Sequence, residues 1–195
     1  MLFNLVQIIR YNVLWIDDEV QTGIGRTGKM LAIDHEEARP DIICLGKALS
    51  GGVYPVSGVL ADDEVMLVIK PGEHGSTYGG NPLGMKVALT ALQVVLDEKL
   101  SDNAARLGEI FRNEIRARVP ESVAPVVRGK GLLNAVVVRE NMDAWQICLN
   151  LRDRGLLAKP THGDKIRFAP PLVISEKELR EAVDIIVDTL NEAGK

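Results

Sequence analysis

The chain has 195 residues, 46% of them apolar and 26% charged, enough to bury a sizeable core as one large domain or two small ones. A net charge of -4, with both signs scattered along the chain, gives no basic face for a phosphate polymer and no Lys/Arg run for an anionic bilayer, which argues against nucleic acid and membrane as partners. The apolar, uncharged start, residues 1–9, lacks the basic region and cleavage site of a secretory signal and is too short to span a bilayer. It reads as a strand or helix entering the domain, and without an Arg/Ser-rich presequence the visible chain reads as cytosolic.

Asn12 to Asp17 is a short apolar run, dense in β-formers, that runs into the acids Asp17, Asp18 and Glu19, the pattern of a buried strand ending at a polar edge. Asp41 to Leu45 repeats the pattern and Val56 to Leu60 predicts a third strand. Glycine-rich turns, Gly23 to Gly28 and Ser50 to Gly52, lie between them, where loops at strand ends gather functional groups. From Leu83 the period turns helical through Val87, Thr90, Ala91, Val94 and Val95, and a second helix follows through Leu107, Ile110, Phe111 and Ile115, ending before Pro120.

Then come a strand over Gly131 to Val138, a helix over Met142 to Arg154 closed by Gly155, and a short strand over Ile166 to Phe168. Ser175 and Glu178 form an S-x-x-E capping box ahead of Leu179, Val183, Ile186 and Leu190. The order predicts part of an α/β layer followed by a smaller α+β unit, with domains at 1–99 and 100–195.

Two patterns imitate nucleotide sites. Gly23 to Gly28 fits G-x-G-x-x-G, but no helix opens behind it before Arg39-Pro40 and no suitably placed acid follows. Leu14 to Glu19 resembles a strand ending in Mg²⁺-holding acids, yet the chain has no phosphate cradle of the G-x-x-x-x-G-K type. Cys44 and Cys148 lack C-x-x-C spacing and nearby histidines, so both read as buried free thiols and no metal site is expected.

A third pattern joins the acids to a lysine. Lys47 follows an apolar strand directly, between Gly46 and Gly51-Gly52, so that a carboxylate and an amine stand at the ends of two strands able to lie side by side. A lone lysine is usually a solvated surface group, but this setting lets a bulky ligand approach the backbone. Strand alternation does not choose between Asp17 and Asp18, which point to opposite faces.

Five segments in order, Ile16 to Gly23 (IDDEVQTG), Leu45 to Gly52 (LGKALSGG), Pro71 to Pro82 (PGEHGSTYGGNP), Arg128 to Asn134 (RGKGLLN) and Gly155 to Pro171 (GLLAKPTHGDKIRFAPP), resemble the C-terminal half of class III aminotransferases. The last is closer to the ornithine branch than to the acetylornithine or 4-aminobutyrate branches. The resemblance runs from about Asn12 to the C-terminus and implies part of the large domain of a pyridoxal phosphate (PLP)-dependent transferase of fold type I, aspartate aminotransferase-like, plus a small α+β domain. It implies transfer of the δ-amino group of ornithine to 2-oxoglutarate, with an amino acid and a 2-oxo acid as small-molecule partners, a homodimer, and a compartment that in this family is often mitochondrial.

In the same way it makes Lys47 the lysine that condenses with the cofactor aldehyde and then moves a proton, and Asp18 the carboxylate that keeps the pyridine nitrogen charged. Gln21 would bond near the ring oxygen, Thr77 would reach the phosphate of the cofactor held mainly by the other subunit, and Arg167 would grip a substrate carboxylate with its planar fork. His74 and His162 stay outside the catalytic set. The family chain is about twice as long, so the expectation is a truncated product, inactive alone and poorly soluble where apolar strands lie bare, with a non-catalytic interaction module as the alternative.

Overall fold

The structure, a computed structural model, describes residues 10–194, and the apolar start over residues 1–9 lies outside the described residues. The chain divides into two compact units: one holds the residues up to Ile24 together with Leu31–Glu98, the other Gly25–Met30 together with everything from Lys99. A linear division between 99 and 100 does not account for the loop Gly25–Met30, which packs with the second unit.

The first unit is built on a three-stranded sheet in the order β1 (Ile16–Asp18), β2 (Ile42–Leu45), β3 (Gly58–Ala61). β1 and β2 are parallel and β3 is antiparallel to β2. The strand expected from Asn12 is shorter than its apolar run, because Asn12 takes a left-handed turn at φ 51° and the Trp15 N–H donates to the Asp41 carboxylate at 2.7 Å instead of entering the ladder. Two 3-10 turns, Ala32–His35 and Lys47–Ser50, precede and follow β2, and a one-turn helix, α1 (Asp63–Met66), follows β3.

Helix α2 (Pro82–Asp97) starts as its sequence dictates, with Pro82 in the first turn and the Asn81 side chain accepting from the Gly84 N–H at 2.8 Å. Its expected apolar face is only partly covered. Val95 is buried, but Leu83 is 61% exposed and Val94 40%.

The second unit carries a four-stranded antiparallel sheet ordered β4 (Val126–Lys130), β5 (Leu133–Val137), β7 (Lys165–Phe168), β6 (Lys159–Thr161). Here the strand expected from Gly131 begins later, since Gly131 and Leu132 form the hairpin turn out of β4, and the strands β4 and β6 were not expected at all. Helices α3 (Leu100–Arg118), α4 (Ala144–Asp153) and α5 (Glu176–Ala193) complete the unit, α3 packing on β4 and α5.

A single apolar core joins them, from Leu107, Phe111 and Ile115 on α3 through Val136 and Ile166 on the sheet to Leu179, Val183 and Leu190 on α5. The capping box forms as spelled: Ser175 Oγ accepts from the Glu178 N–H at 3.2 Å and Glu178 accepts from the Ser175 N–H at 2.9 Å. Close approach explains Gly108, where a Cβ would lie 1.8 Å from the Gly131 carbonyl oxygen, and Gly131 itself, at φ 52° against the backbone of Thr27.

Candidate active site

Parallel pairing sets Asp18 opposite Cys44, and β2 ends at Leu45, so Asp18 and Lys47 stand at the C-terminal ends of neighbouring parallel strands, the edge where open α/β sheets bind ligands. The Glu19 N–H extends the ladder to the Cys44 carbonyl at 3.0 Å. A Cβ on Gly46 would meet Val20 at 3.3 Å, so the turn after the acids packs against the backbone just before the lysine. Lys47 has φ 41°, a left-handed value uncommon for a side-chain-bearing residue. Its exposed amine makes no hydrogen bond or ion pair among the described residues.

The three acids divide their work by environment. Glu19 is 2% exposed, its carboxylate accepting from the Ile33 N–H at 2.8 Å and from the Thr22 hydroxyl, so it ties the following loop together instead of facing a ligand. Asp17 is half-buried with one carboxylate oxygen enclosed and unpartnered, and burial, with the neighbouring Glu19 charge adding, pushes its carboxyl above the ordinary range. Asp18 is exposed and, among the described residues, accepts only from the Val20 N–H, at 3.0 Å. Of the two aspartates between which alternation does not choose, Asp18 is the more exposed.

Gln21 is exposed in the turn after β1, and Thr77 lies in the exposed stretch 71–80. Beside Thr77, Tyr54, Pro55, Val56, Ser57, Tyr78, Asn81 and Met85 line a shallow cavity of about 390 Å³, which sequence patterning did not single out because its wall is assembled from two separate loops. Cys44 is half-buried instead of buried as expected, β2 having no complete cover, and Cys148 is buried. Among the described residues no cluster of three or more His, Cys, Asp or Glu is arranged to hold a metal ion, and no helix is long and apolar enough to cross a membrane.

The family model for class-III aminotransferases matches residues 5–190. The chain belongs to the class-III aminotransferases. It is 64% identical over 181 residues to the mitochondrial ornithine aminotransferase of Drosophila melanogaster, covering 93% of this chain and 42% of the fly protein. Among solved structures it resembles an acetylornithine aminotransferase from Elizabethkingia anophelis, with TM-score 0.90 and 57% identity over 95% of this chain and 47% of that one. It also resembles the ornithine aminotransferase of Toxoplasma gondii, with TM-score 0.93 and 47% identity over 98% of this chain and 47% of that one, in a crystal described as partly occupied by PLP. This chain thus spans less than half the length of the relatives it matches, and over that span its fold is that of the PLP-dependent aminotransferases.

In this class-III chain the second unit holds Arg167 on β7, half-buried and pointing away from the core that Ile166 and Phe168 enter. Arg167 makes no salt bridge among the described residues. Two other arginines of this unit were passed over by sequence reasoning. Arg26 donates to the Pro170 carbonyl at 2.5 Å and the Leu132 carbonyl at 3.3 Å, and burial lowers its guanidinium pKa. Arg112, 4% exposed, donates to Asn134 at 2.7 Å and the Gly131 carbonyl at 3.1 Å, which accounts for the Asn in RGKGLLN. An arginine inside a glycine-rich loop or an apolar helix face was the available signal.

Proposed function

We propose that this chain carries the lysine half of an ornithine aminotransferase site, with PLP as cofactor and 2-oxoglutarate as amino acceptor. The observation that carries the reading is the unpaired, left-handed Lys47 at a strand end next to the strand that ends in the accessible Asp18. The residues fit the cofactor: an amine free of partners, a carboxylate with room around it, and Gly52, whose Cβ position is empty to 4 Å. When bound, PLP supplies an aldehyde for covalent attachment and a ring that withdraws electrons.

Lys47 would hold the cofactor through its amine and would serve as the base that moves a proton at the reacting carbon of the substrate. Asp18 would keep the ring nitrogen protonated, because an opposite charge at hydrogen-bond distance favours the charged form. Gln21 would donate near the ring oxygen, Thr77 would serve the phosphate held by a second subunit of a homodimer, and Arg167 would grip a substrate carboxylate. The domains at 1–99 and 100–195 then correspond to the cofactor-binding and small domains, with residues 25–30 assigned to the latter.

The test is to incubate the chain with PLP, reduce with borohydride and map the adduct by mass spectrometry. One adduct per chain at Lys47, absent in Lys47→Ala, is expected. Scattered labelling that the substitution leaves unchanged would favour a non-catalytic interaction module and overturn the assignment. The 57% identity to a protein named as an acetylornithine aminotransferase favours a second reading of the amino donor. Turnover with ornithine and with N-acetylornithine, each against 2-oxoglutarate, separates the two, and a preference for the acetylated donor would displace ornithine. The fly relative's name favours a mitochondrial over a cytosolic site of action, which cell fractionation checks.

A further inference from the structure

Strand β7 ends at Phe168, directly after Arg167, and residues 169–174 lead from it toward α5 without entering a helix or strand. Pro170 and Pro171 bring carbonyls to this strap but no N–H groups, so side chains can hold it there only through its oxygens. Two side chains do so. Asn103 on α3 donates its amide to the Leu172 and Ile174 carbonyls at 2.8 and 3.1 Å, and Arg26 donates to the Pro170 carbonyl at 2.5 Å.

Arg26 reaches further than the strap. The same guanidinium nitrogen donates to the Leu132 carbonyl at 3.3 Å, and the Leu132 N–H returns a bond to the Arg26 carbonyl at 3.0 Å. The seat admits backbone only: a Cβ on Gly131 would lie 2.4 Å from the Thr27 carbonyl carbon, and one on Gly28 would lie 2.9 Å from the Ala105 Cβ. No carboxylate bonds Arg26 among the described residues, and burial alone lowers its pKa. A charge facing main-chain carbonyls is a costly way to hold a strap whose next two carbonyls are held by a neutral amide. What the longer, forked side chain adds is a simultaneous hold on two segments from a third.

That third segment is the direct continuation of the turn after β1, where Asp18 and Gln21 stand. The connection is not slack: the Gly23 N–H donates to the Glu19 carbonyl at 2.9 Å, the Gly28 N–H to the Gly25 carbonyl at 3.1 Å, and the Gly25 N–H to the Met30 carbonyl at 3.1 Å. We infer that Arg26 is a positioning residue that couples the turn bearing Asp18 and Gln21 to the strap behind Arg167, so that a group held at the first orders the second. This rests on the assignment of Lys47 and Asp18 to PLP and of Arg167 to a substrate carboxylate, and deepens it.

The experiment is amide hydrogen exchange read by mass spectrometry on the full chain, before and after borohydride fixes PLP, for the unsubstituted chain and for R26K, R26Q and N103A, with thermal melts as the control on folding. In the unsubstituted chain the adduct at Lys47 is expected to slow exchange in β7 and in residues 172–174 by at least about three-fold. R26K, which keeps the charge without the fork, and R26Q, which keeps a donor without the charge, should form the same adduct and lose that response. N103A should speed exchange of residues 172–174 in both forms yet keep the response, because it loosens the strap without touching the loop Gly25–Met30. An adduct at Lys47 that leaves exchange in β7 and the strap unchanged in the unsubstituted chain overturns the coupling, whatever the variants do. A response that survives in R26K or R26Q overturns it too, as does a response lost in N103A as fully as in R26K, which would make general stiffness of the strap the cause. Absence of an adduct at Lys47 overturns the transaminase reading and the coupling with it, so the adduct separates the two failures.

Discussion

The two units of this chain differ in how completely each closes on itself. The second unit surrounds one continuous core in which Leu107, Ile115, Leu132, Leu151, Ile166 and Leu190 are wholly buried. The first unit buries few apolar side chains and leaves Val13, Leu14, Ile16, Val59, Leu60 and Leu89 more than half exposed. Apolar patterning says that a side chain has a buried face somewhere, whereas burial in a given chain depends on whether the covering element is present. The unit with the candidate lysine is thus the one with the thinner cover, and stability measurements should separate the two.

The largest effects belong to the second core. Leu107→Ala is expected to cost about 2–5 kcal/mol, the range for a buried leucine that leaves a cavity, whereas Leu89→Ala, at a side chain 59% exposed, should stay within about 0.5 kcal/mol. Urea denaturation followed by intrinsic fluorescence reads both. Similar losses at the two positions would mean that the first unit has a cover of its own. Next in size is Arg112→Met, which leaves the buried Asn134 Oδ1 without its donor while the Gly131 carbonyl keeps the Asn134 amide at 3.2 Å, a loss of about 1–3 kcal/mol. If that substitution is neutral in the same denaturation series, the polar pair is dispensable filling.

A smaller effect follows from Cys148. Burial pushes its thiol up from 9.0 to about 11. Because the folded state holds the proton longer than the unfolded state, the stability this gives is complete below pH 9 and is lost as pH rises toward 11, at no more than about 1.4 kcal/mol per pH unit. The melting temperature of Cys148→Ala should therefore fall less steeply than that of the unsubstituted chain above pH 9. Parallel curves would mean that Cys148 ionises as freely folded as unfolded.

How much of this was legible beforehand depends on whether a signal is local. The capping box at Ser175 and Glu178, the helix after Asn81 and the strand ending at Leu45 are written in neighbouring residues, and the structure forms all three. The strands β4 and β6 escaped because VVRGK and KPT lack an apolar alternation and owe their form to the ladder partners across from them. Asp18 and Lys47 were legible as ends of two strands, but their adjacency depends on the parallel pairing of Ile16 to Asp18 with Ile42 to Cys44, which spacing along the chain does not specify. Arg26 was hidden for the same reason, its carbonyl partners lying more than 100 positions away.

The smallest expected effect tests whether the contrast extends to the surface. On the second unit, Arg106, Glu176, Arg180, Glu114, Arg118 and Asp184 form an unbroken ladder of ion pairs between α3 and α5, from Arg106–Glu176 at 2.5 Å to Arg118–Asp184 at 2.6 Å. The first unit has the exposed pair Arg39–Asp62, which shares its charges with no other ion-pair partner among the described residues. Exposed pairs are individually weak, but the ladder fixes Arg118 and Arg180 once each for two carboxylates. Arg180 first, then Arg106, holds the Glu176 carboxyl below its ordinary 4.5, so its contribution is present above pH 4.5 and is lost as pH falls through the lowered value. Glu176→Gln should therefore lower the melting temperature by a few degrees at neutral pH and low salt. The difference should shrink at about 1 M salt, where the screening length falls to about 3 Å, and close in acid. Arg39→Gln should move nothing under any of these conditions; if the two substitutions behave alike, the ladder is only a row of separate surface pairs and the units differ in their cores alone.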